Sequence, residues 1–355
     1  MPCVEGCPRN ELNPIVMSRP RHNLTDVVRC PACHGELCYA DDATLLCKQC
    51  QERFPIVDGI PRVLLSPLRE ALNGNGTSND LDSVQVKTAQ SFGFEWNRFP
   101  QMYKEWQQTF LNYMQPHLPE FFQGKRALDA GCGTGRFAYY AGKYGADVWA
   151  IDLGSAAEVA RRNTSELENV HVVQADLHRP PFATESFDFI YSIGVLHHLP
   201  DPEAAFQNLL RFLKPGGQVQ IYLYWKPEGQ PIKRVLIGVV TAMRQITTRL
   251  PHPLLHALSY PAAALAFLLF VWPYSLMRRI PGFRNLAEKF PMKQYSQFPF
   301  RVCINDQFDR FSAPIENRYT KGQVKEWLDR ANLEQPAVYS NYGWVATGRK
   351  PLSAR

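Results

Sequence analysis

The 355-residue sequence predicts an α/β fold, a doubly wound parallel sheet preceded by a small cysteine-containing β module. Three observations support this prediction. From Lys125 onward, apolar runs of strand length alternate with segments of helical periodicity. The first of these strands leads into a loop with glycine at alternate positions, LDAGCGTGRF at 128–137. Two CxxC pairs lie upstream, in a stretch of short apolar runs separated by turn residues.

Composition shifts divide the chain into seven segments. In order, they are an N-terminal tail (1–23), a zinc-ribbon-like module (24–65), a polar linker (66–86), an aromatic helical lead-in or lid (87–124), the α/β core (125–226), a hydrophobic basic insertion (227–317) and a C-terminal helix and hairpin (318–355). The first residues, MPCVEGCPRN, lack the apolar stretch of a secretion signal, and CxxC pairs without such a signal favour a reducing compartment.

The core segments are assigned from their periodicity. The predicted strands are RALDA, ADVWAID, VHVVQAD, FDFIYSIGV and QVQIYLYW. The predicted intervening helices are GRFAYYAGKYG, SAAEVARRNTSEL and PEAAFQNLLRFLKPGG, the last ended by Pro-Gly-Gly. After the insertion, TKGQVKEWLDRANL predicts a helix, and AVYSN and GWVATGRK predict two strands. Repeated β-α units of this kind predict parallel strands with helices on both faces of the sheet.

The glycine loop and three acids indicate the kind of ligand. The loop reads GxGxG, not the GxGxxG of dinucleotide-binding loops, and Arg136 follows Gly135. Asp129, Asp152 and Asp176 each fall at the end of a predicted strand, at the edge where open α/β sheets bind ligands. Asp152 can accept from both hydroxyls of a ribose, and Asp176 from an adenine amino group. Such acids suit S-adenosylmethionine (SAM), a cationic nucleoside without phosphate, better than a pyrophosphate.

These motifs, from LDAGCGTGRF through VWAIDL and QADL to the segment that ends in LKPGG, resemble the class I SAM-dependent methyltransferases. The nearest subgroup is the broad one that includes ubiquinone and menaquinone biosynthesis methyltransferases. The resemblance implies a Rossmann-like seven-stranded sheet, parallel apart from a closing antiparallel hairpin. It also implies the cofactor-binding residues, namely Asp129, Gly131, Gly133 and Gly135 around the methionine end, Asp152 at the ribose, Asp176 at the adenine, and Leu153 and Leu177 packed near the adenine ring. For each acid the alternative is a strand-end or capping role.

SAM is already activated, so the main task of such an enzyme is to hold the acceptor in line with the methyl–sulfur bond. A base is required only if the acceptor must lose a proton. His197 and His198 follow the fourth predicted strand and are the candidates for that base. The simpler interpretation is that the HHLPDP turn is structural.

The cysteines predict a structural zinc site. A spacing of CxxC-x13-CxxC places two thiolates on each of two turns, which completes a tetrahedron, whereas a redox CxxC normally occurs once beside a βαβ unit. The predicted ligands are Cys30, Cys33, Cys47 and Cys50. With FPIVDGIPRVL, this stretch resembles the small zinc-binding domain that activates tRNA and protein methyltransferases. Cys3 and Cys7 form a CxxxC pair without further ligands.

The positive charge is confined to one segment. The chain has 39 Lys and Arg against 33 Asp and Glu, but residues 229–287 hold seven basic residues and no acid, so the remainder carries 32 against 33. Within that segment, 254–272 is an uncharged stretch of nearly membrane-spanning length. Strands before and after it belong to one sheet, so a single crossing is excluded. The alternatives are peripheral docking on an anionic membrane, a cap over the acceptor site, and a dimer interface.

The leading functional hypothesis is therefore methyl transfer from SAM to a hydrophobic or lipid-linked small molecule, in the cytoplasm or at the inner face of the membrane. A second is an RNA methyltransferase whose zinc module contacts RNA. Against it, residues 24–65 carry four basic and six acidic residues, whereas a phosphate-binding surface should be basic. A third is a non-catalytic scaffold that retains the SAM-binding fold, and the three intact acids are evidence against it because a dead site has no need of them.

Overall fold

The structure, a computed structural model, describes residues 24–74 and 80–352, without the side chains of residues 80–83 and 232–233. The predicted tail, with Cys3 and Cys7, lies outside the described residues. The chain forms two compact units, one of residues 1–226 with 315–355 and one of residues 227–314. The second unit corresponds, within three residues, to the predicted insertion.

The first unit contains one sheet, whose strands among the described residues are β1 (Leu37–Asp41), β2 (Thr44–Cys47), β3 (Arg53–Val57), β4 (Ile60–Val63), β5 (Arg126–Ala130), β6 (Asp147–Asp152), β7 (Val170–Ala175), β8 (Phe187–Ile193), β9 (Leu213–Leu223), β10 (Glu334–Ser340) and β11 (Trp344–Arg349). Their order across the sheet is β1-β2-β3-β4-β7-β6-β5-β8-β9-β11-β10. Strands β4 to β9 run parallel where they pair, and β11 lies antiparallel between β9 and β10. The α/β fold with a closing antiparallel hairpin is thus confirmed.

The central strands are apolar throughout because both faces of the sheet are covered. In β5 only the first residue is partly exposed, and in β6 only the two ends are. The aromatic rings of Trp149 and Phe189 are fully enclosed on opposite sides of the sheet, in two separate hydrophobic clusters. Burial of this extent holds the ends of β5 and β6 in fixed positions.

The zinc-ribbon-like module extends the sheet of the core. Strand β4 pairs in parallel with β7, with Arg62 opposite Gln174 and Val63 opposite Ala175. Arg62 is 8% exposed, and its guanidinium donates to Gln174 Oε1 at 3.2 Å and to Glu158 Oε1 at 2.7 Å. The seven predicted core strands, β5 to β11, are therefore present, and the four strands of the module extend their sheet to eleven, so the module at 24–65 is not structurally separate from the core.

The helices of the first unit flank this sheet. They are α1 (Leu24–Val27), α2 (Ser66–Leu72), α3 (Asp80–Arg98), α4 (Glu105–Met114), α5 (Arg136–Lys143), α6 (Ala156–Asn163) and α7 (Pro202–Leu209), followed after the second unit by a helix at Lys321–Arg330. Short 3-10 turns lie at Pro119–Phe122, Leu196–His198 and Leu210–Phe212.

Two predicted boundaries are wrong. The segment 66–86 was expected to be a linker, but it contains α2 and the start of α3; residues 75–79 lie outside the described part. The helix expected to continue to Pro-Gly-Gly ends at Leu209, and β9 already begins at Leu213. Both errors arise from reading glycine and polar residues as breakers. At the second boundary, the pairing of Leu213 with Phe187 of β8 holds the start of β9 extended.

The second unit is helical in all its described elements. It contains α8 (Pro231–Thr247), α9 (His252–Ala266), α10 (Trp272–Met277), α11 (Arg284–Ala287) and α12 (Phe300–Ser312), so the helix at Lys321–Arg330 is α13. A π-helical stretch at Phe267–Val271 joins α9 and α10 into one helix, His252–Met277. Among the described residues, this is the one helix long and apolar enough to cross a membrane, a criterion of length and composition only.

We expect Arg62→Ala to weaken the attachment of the module to the core. The substitution leaves the Glu158 carboxylate without its cation and should lower the free energy of unfolding by about 2 kcal/mol. Urea denaturation followed by far-UV circular dichroism measures the loss. Arg53→Ala, at an exposed position of the same module, is the matched control and should change stability by less than about 0.5 kcal/mol. Equal stability of both variants would contradict the role given to Arg62.

Candidate functional site

The loop between β5 and α5 requires glycine at two positions, because a side chain at either would collide with a neighbouring residue. Gly131 has φ of +91°, and a Cβ there would lie 2.5 Å from Val195 Cγ1. Gly135 has φ of +75°, and a Cβ there would lie 2.9 Å from the Ala160 Cα. Both conformations are ones that L side chains rarely adopt. The loop can therefore turn tightly against α6 while its backbone stays accessible at the sheet edge.

The sheet register places the three predicted acids at one edge in a stepped arrangement. Asp129 of β5 is opposite Ala150 of β6, and Asp152 lies two residues further along that strand. Asp152 is in turn opposite Gln174 of β7, and Asp176 lies two residues beyond it. Because alternate residues of a strand point to the same face, Asp129 and Asp152 share a face of the sheet. All three acids lie at carboxyl ends of neighbouring parallel strands.

Asp129 is the most unusual of these acids, because its side chain is 1% exposed. Among the described residues, no group meets its Oδ2 atom at hydrogen-bond geometry, although the Tyr191 hydroxyl lies close enough to lower the pKa of Asp129. Burial outweighs that effect and raises the pKa of the Asp129 carboxyl to about 8. A buried carboxyl oxygen of this kind is costly unless a cationic or donating ligand binds it.

Asp152 holds the glycine loop in place. Its Oδ2 accepts from the Gly133 amide at 2.9 Å, and its Oδ1 accepts from the Gly154 amide at 3.1 Å. Burial raises the pKa of Asp152, and these backbone donors oppose the rise. Each carboxylate oxygen retains a further lone pair that can accept from a ligand hydroxyl.

Asp176 contacts two residues that the sequence analysis missed. Its Oδ1 accepts from Gln85 Nε2 at 2.8 Å and from the His178 amide at 2.9 Å, and the His178 ring lies 3.0 Å from it through Nδ1. That contact raises the pKa of His178. Gln85 was overlooked because it falls in the segment predicted to be a linker; His178 follows the QADL motif and could have been identified there.

Helix α3 lies across the site. A Cβ on Gly133 would lie 3.1 Å from Trp96 Nε1, and the Arg136 guanidinium lies 5.3 Å from the Trp96 ring. The ring of Phe92 packs edge-on against His198 with centroids 5.0 Å apart. By contrast, Phe110 of α4 is fully buried among core aromatics. The aromatic stretch at 87–124 therefore combines site-lining residues from α3 with core residues from α4.

The two histidines after β8 are buried within the first unit. His198 Nδ1 donates to the Ile315 carbonyl at 2.6 Å, which leaves Nε2 as the unprotonated nitrogen in the neutral ring. His197 stacks on Tyr224 with centroids 3.8 Å apart. The arrangement anchors this turn to the returning chain, as the structural interpretation expects. A role as base remains a prediction for either residue.

The two leucines that the resemblance assigned to the adenine ring differ in burial. Leu177 is 6% exposed and belongs to the main core cluster, whereas Leu153 is partly exposed beside Asp152. The carbonyl of Leu153 accepts from Gln174 Nε2 at 2.8 Å. Contact of either leucine with an adenine remains a prediction.

The four predicted zinc ligands converge in the N-terminal module. All four sulfur atoms lie within 4.8 Å of one another, with 3.6 Å between those of Cys30 and Cys50 and 3.4 Å between those of Cys33 and Cys47. Tetrahedral zinc with Zn–S distances of about 2.3 Å requires sulfur separations of roughly 3.8 Å. The four sulfurs therefore fit a zinc ion. Cys38 is not part of this group.

Two known domain families match this chain. Residues 128–221 match the methyltransferase domain family, and residues 21–59 match the Trm112p-like protein family. The first range spans β5 to β9 with the glycine loop and the three acids. The second includes all four clustered cysteines.

Similar proteins include several methyltransferases. The ubiquinone/menaquinone biosynthesis C-methyltransferase of Vibrio vulnificus is 34% identical over 119 residues, which cover 32% of this chain and 46% of that protein. The ubiquinone biosynthesis O-methyltransferase of Aliivibrio fischeri is 28% identical over 169 residues, 46% of this chain and 70% of that protein. The chain thus spans about half the length of the first of these relatives. A solved complex of the Haloferax volcanii Trm112 methyltransferase activator with a methyltransferase is 12% identical, covering 78% of this chain and all of that one, with a TM-score of 0.41.

The sheet order and the acids at the ends of its strands define a class I SAM-dependent methyltransferase fold. With the two family matches, they show that the chain contains a class I SAM-dependent methyltransferase domain joined to an N-terminal Trm112p-like domain.

We expect the purified protein to contain about one zinc ion per chain by elemental analysis, because the four thiolates complete one tetrahedral site. Replacing Cys47 by Ser should abolish zinc retention and lower the melting temperature by several degrees, because the sulfurs join β2 to the turns around them. Cys38→Ser, in β1 of the same module, is the control and should retain the metal. Zinc-free wild-type protein with an unchanged melting temperature would contradict the structural assignment.

Proposed function

We propose that this protein transfers the methyl group of SAM to a hydrophobic or lipid-linked small molecule. The observation that carries the proposal is the buried Asp129 carboxyl at the end of β5, one of whose oxygens has no partner at hydrogen-bond geometry among the described residues. It lies beside a glycine loop that exposes backbone and next to Asp152, in a domain of the SAM-dependent class. SAM carries an ammonium group that such a carboxyl can bind.

The residues of the site fit SAM. Asp129 would accept from the methionine ammonium, the free lone pairs of Asp152 from the ribose hydroxyls, and Asp176 from the adenine amino group. Gln85 already donates to Asp176, so that it would either share this acid with the adenine or move aside. When bound, SAM supplies a methyl group on a sulfonium, whose leaving group is a neutral thioether.

The task of this chain is then positioning. The rigid ends of β5 and β6, with Trp96 over the glycine loop, would orient the methyl–sulfur bond and exclude water from it. The acceptor would approach from the side opposite the sulfur. If it must lose a proton, His198 Nε2 is the candidate acceptor, because Nδ1 is committed to the Ile315 carbonyl.

Two observations favour a hydrophobic acceptor over RNA. The two bacterial relatives named above, from Vibrio vulnificus and Aliivibrio fischeri, are quinone biosynthesis methyltransferases. In addition, residues 24–65 hold six acids against four basic residues, and two of those four are paired with carboxylates: Lys48 with Glu36 and Arg62 with Glu158. A module with that distribution has little positive charge for phosphate. We propose that its zinc has a structural role and that the protein acts in the cytoplasm.

Incubation with labelled SAM tests the proposal. A lipid extract and a total RNA extract are offered separately, and we expect label in the lipid fraction. Asp152→Ala should lose the transfer and weaken SAM binding at least about 30-fold, since charged hydrogen bonds to the ribose disappear. Asp152→Asn keeps one acceptor oxygen, so its SAM affinity, measured by calorimetry, should lie between those of Asp152→Ala and the wild type. Label in RNA alone would show that the acceptor is RNA and not a lipid. Unchanged SAM binding by Asp152→Ala would contradict the assignment of Asp152 to the SAM site.

The raised pKa of Asp129 predicts proton release when SAM binds. Below about pH 8 the free protein holds this carboxyl mostly protonated, and a bound ammonium favours the charged form. The affinity of the protein for SAM should therefore increase between pH 6 and pH 7.5, by up to about tenfold per pH unit. Calorimetry at pH 7 in two buffers of different ionisation enthalpy counts the released protons. Asp129→Asn should bind more weakly and release none; equal release by both would contradict the assignment.

A further inference from the structure

The second unit has an unusually apolar surface. Among the described residues, 17 of the 23 exposed large hydrophobic side chains lie within residues 227–314. Scattered exposed leucines are normal on a protein surface, but contiguous apolar patches mark interaction sites. Two helices, α8 and the continuous helix His252–Met277, carry most of these side chains.

Helix α8 is amphipathic, with its apolar face in solvent. Val235, Val239, Met243 and Ile246 recur at helical spacing and are 66%, 53%, 47% and 67% exposed. Thr241 and Gln245 form an exposed polar side of the same helix. The buried side includes Arg244, which donates to the Ala313 carbonyl at the end of α12. The apolar face of α8 therefore points away from α12.

The helix His252–Met277 repeats this pattern over about 39 Å, at 1.5 Å per residue. One side is buried, and α12 packs against it. The other side exposes a stripe of large apolar residues: Leu254, Leu258, Leu265, Leu268, Leu269, Trp272 and Leu276. Only 28% of its most apolar 18-residue window is buried, so the helix is not an ordinary core helix. We call this stripe and the apolar face of α8 the docking face.

The segment that carries the docking face is basic, and the first acid after it, Glu288, accepts from the Tyr274 hydroxyl of α10 at 3.4 Å and lies near Arg278. Residues 229–287 contain no Asp or Glu. Five exposed arginines lie along these helices and at their ends: Arg234, Arg249, Arg278, Arg279 and Arg284. Arginines beside an apolar face are complementary to a surface that is apolar inside and anionic outside.

The chain topology lets the second unit dock on a membrane surface but not cross the membrane. Trp225 and Tyr319, just outside the unit at either end, form a parallel bridge, so the insertion departs and returns at adjacent positions. Helix α12, which packs against both α8 and α9, carries Asp306, Asp309 and Arg310, charges that a hydrocarbon core would exclude. The unit can thus present the docking face to lipid while α12 stays in water.

We propose that the docking face lies in the interfacial region of an anionic bilayer. A second copy of the chain fits this face less well, because a two-fold contact would bring the five arginines of both copies together, and Glu288 near Arg278 offsets only part of that charge. This inference concerns the second unit alone and holds whether or not the proposed methyl transfer is correct.

Vesicle flotation of the full-length protein tests the proposal, with phosphatidylcholine vesicles and with an equimolar mixture of phosphatidylcholine and phosphatidylglycerol. We expect flotation with the anionic vesicles and little with the neutral ones. Leu265→Glu/Leu269→Glu should weaken the partition by more than about 100-fold, because two leucines leave the lipid. Arg278→Gln/Arg279→Gln should weaken it by about 25-fold, roughly fivefold per arginine. Because all four side chains are exposed, these variants should keep the wild-type melting temperature.

Matched controls change exposed residues of the first unit. Leu118→Glu/Tyr342→Glu and Arg53→Gln/Lys325→Gln add or remove the same charges outside the docking face and should float like wild type. A second readout places the face in the lipid. The fluorescence of Trp272, which is 62% exposed, should shift to shorter wavelength with anionic vesicles, and Trp272→Phe should lose that part of the shift.

Three results would overturn the proposal. One is recovery in the lipid-free fraction with both vesicle types. Another is equal flotation with neutral vesicles, which would remove the role of the arginines. The third is a dimer in light scattering that the Leu265→Glu/Leu269→Glu variant dissociates, together with no lipid binding; the face would then join two copies of the chain. Since flotation does not measure methyl transfer, its failure would leave the proposed function untouched.

Discussion

The position of β5 in the sheet is the constraint on which the site depends. It pairs with β6 on one side and β8 on the other, so the connections that follow these strands diverge at its carboxyl end. The glycine loop occupies that opening, and the acids of the neighbouring strands border it. Asp129 can remain buried there, with one carboxyl oxygen that no described residue meets at hydrogen-bond geometry, because backbone pairing on both sides and an apolar core hold the surrounding strands.

The sequence predicted well those parts of the fold in which local pattern and tertiary environment agree. Strands buried on both faces are continuous apolar runs, and the acids directly follow them, so β5, β6 and β7 and their acids could be placed together. The positions of Gln85 and Trp96 could not be derived in this way. Both belong to α3, whose placement over the site depends on packing against residues far away in the chain, such as Ser155, to which Asn97 donates. A polar composition concealed the start of that helix, at 80–86, whereas its remainder lies in the segment predicted to be a helical lead-in or lid.

The junction between the two domains shows a similar limit. Short apolar runs between turn residues predict short strands before the core, but they do not indicate that β4 would pair with the edge of β7. An exposed edge of β7 would present unpaired amide and carbonyl groups, and β4 covers it. Arg62 becomes buried at this junction because Glu158 and Gln174 are there to accept from it. The Trm112p-like domain is thus integrated into the same hydrogen-bonded sheet as the methyltransferase domain.

The bridge between Trp225 and Tyr319 also bears on how this chain could diversify. Residues 226–318 form a loop between these two adjacent anchor points. Lengthening such a loop adds little to the entropic cost of closing it, because that cost grows only with the logarithm of the loop length. Strands β9 and β11 keep their register whatever lies between them. Evolution, or an engineer, can therefore exchange residues 227–314 for a different helical segment and give the same scaffold access to another surface.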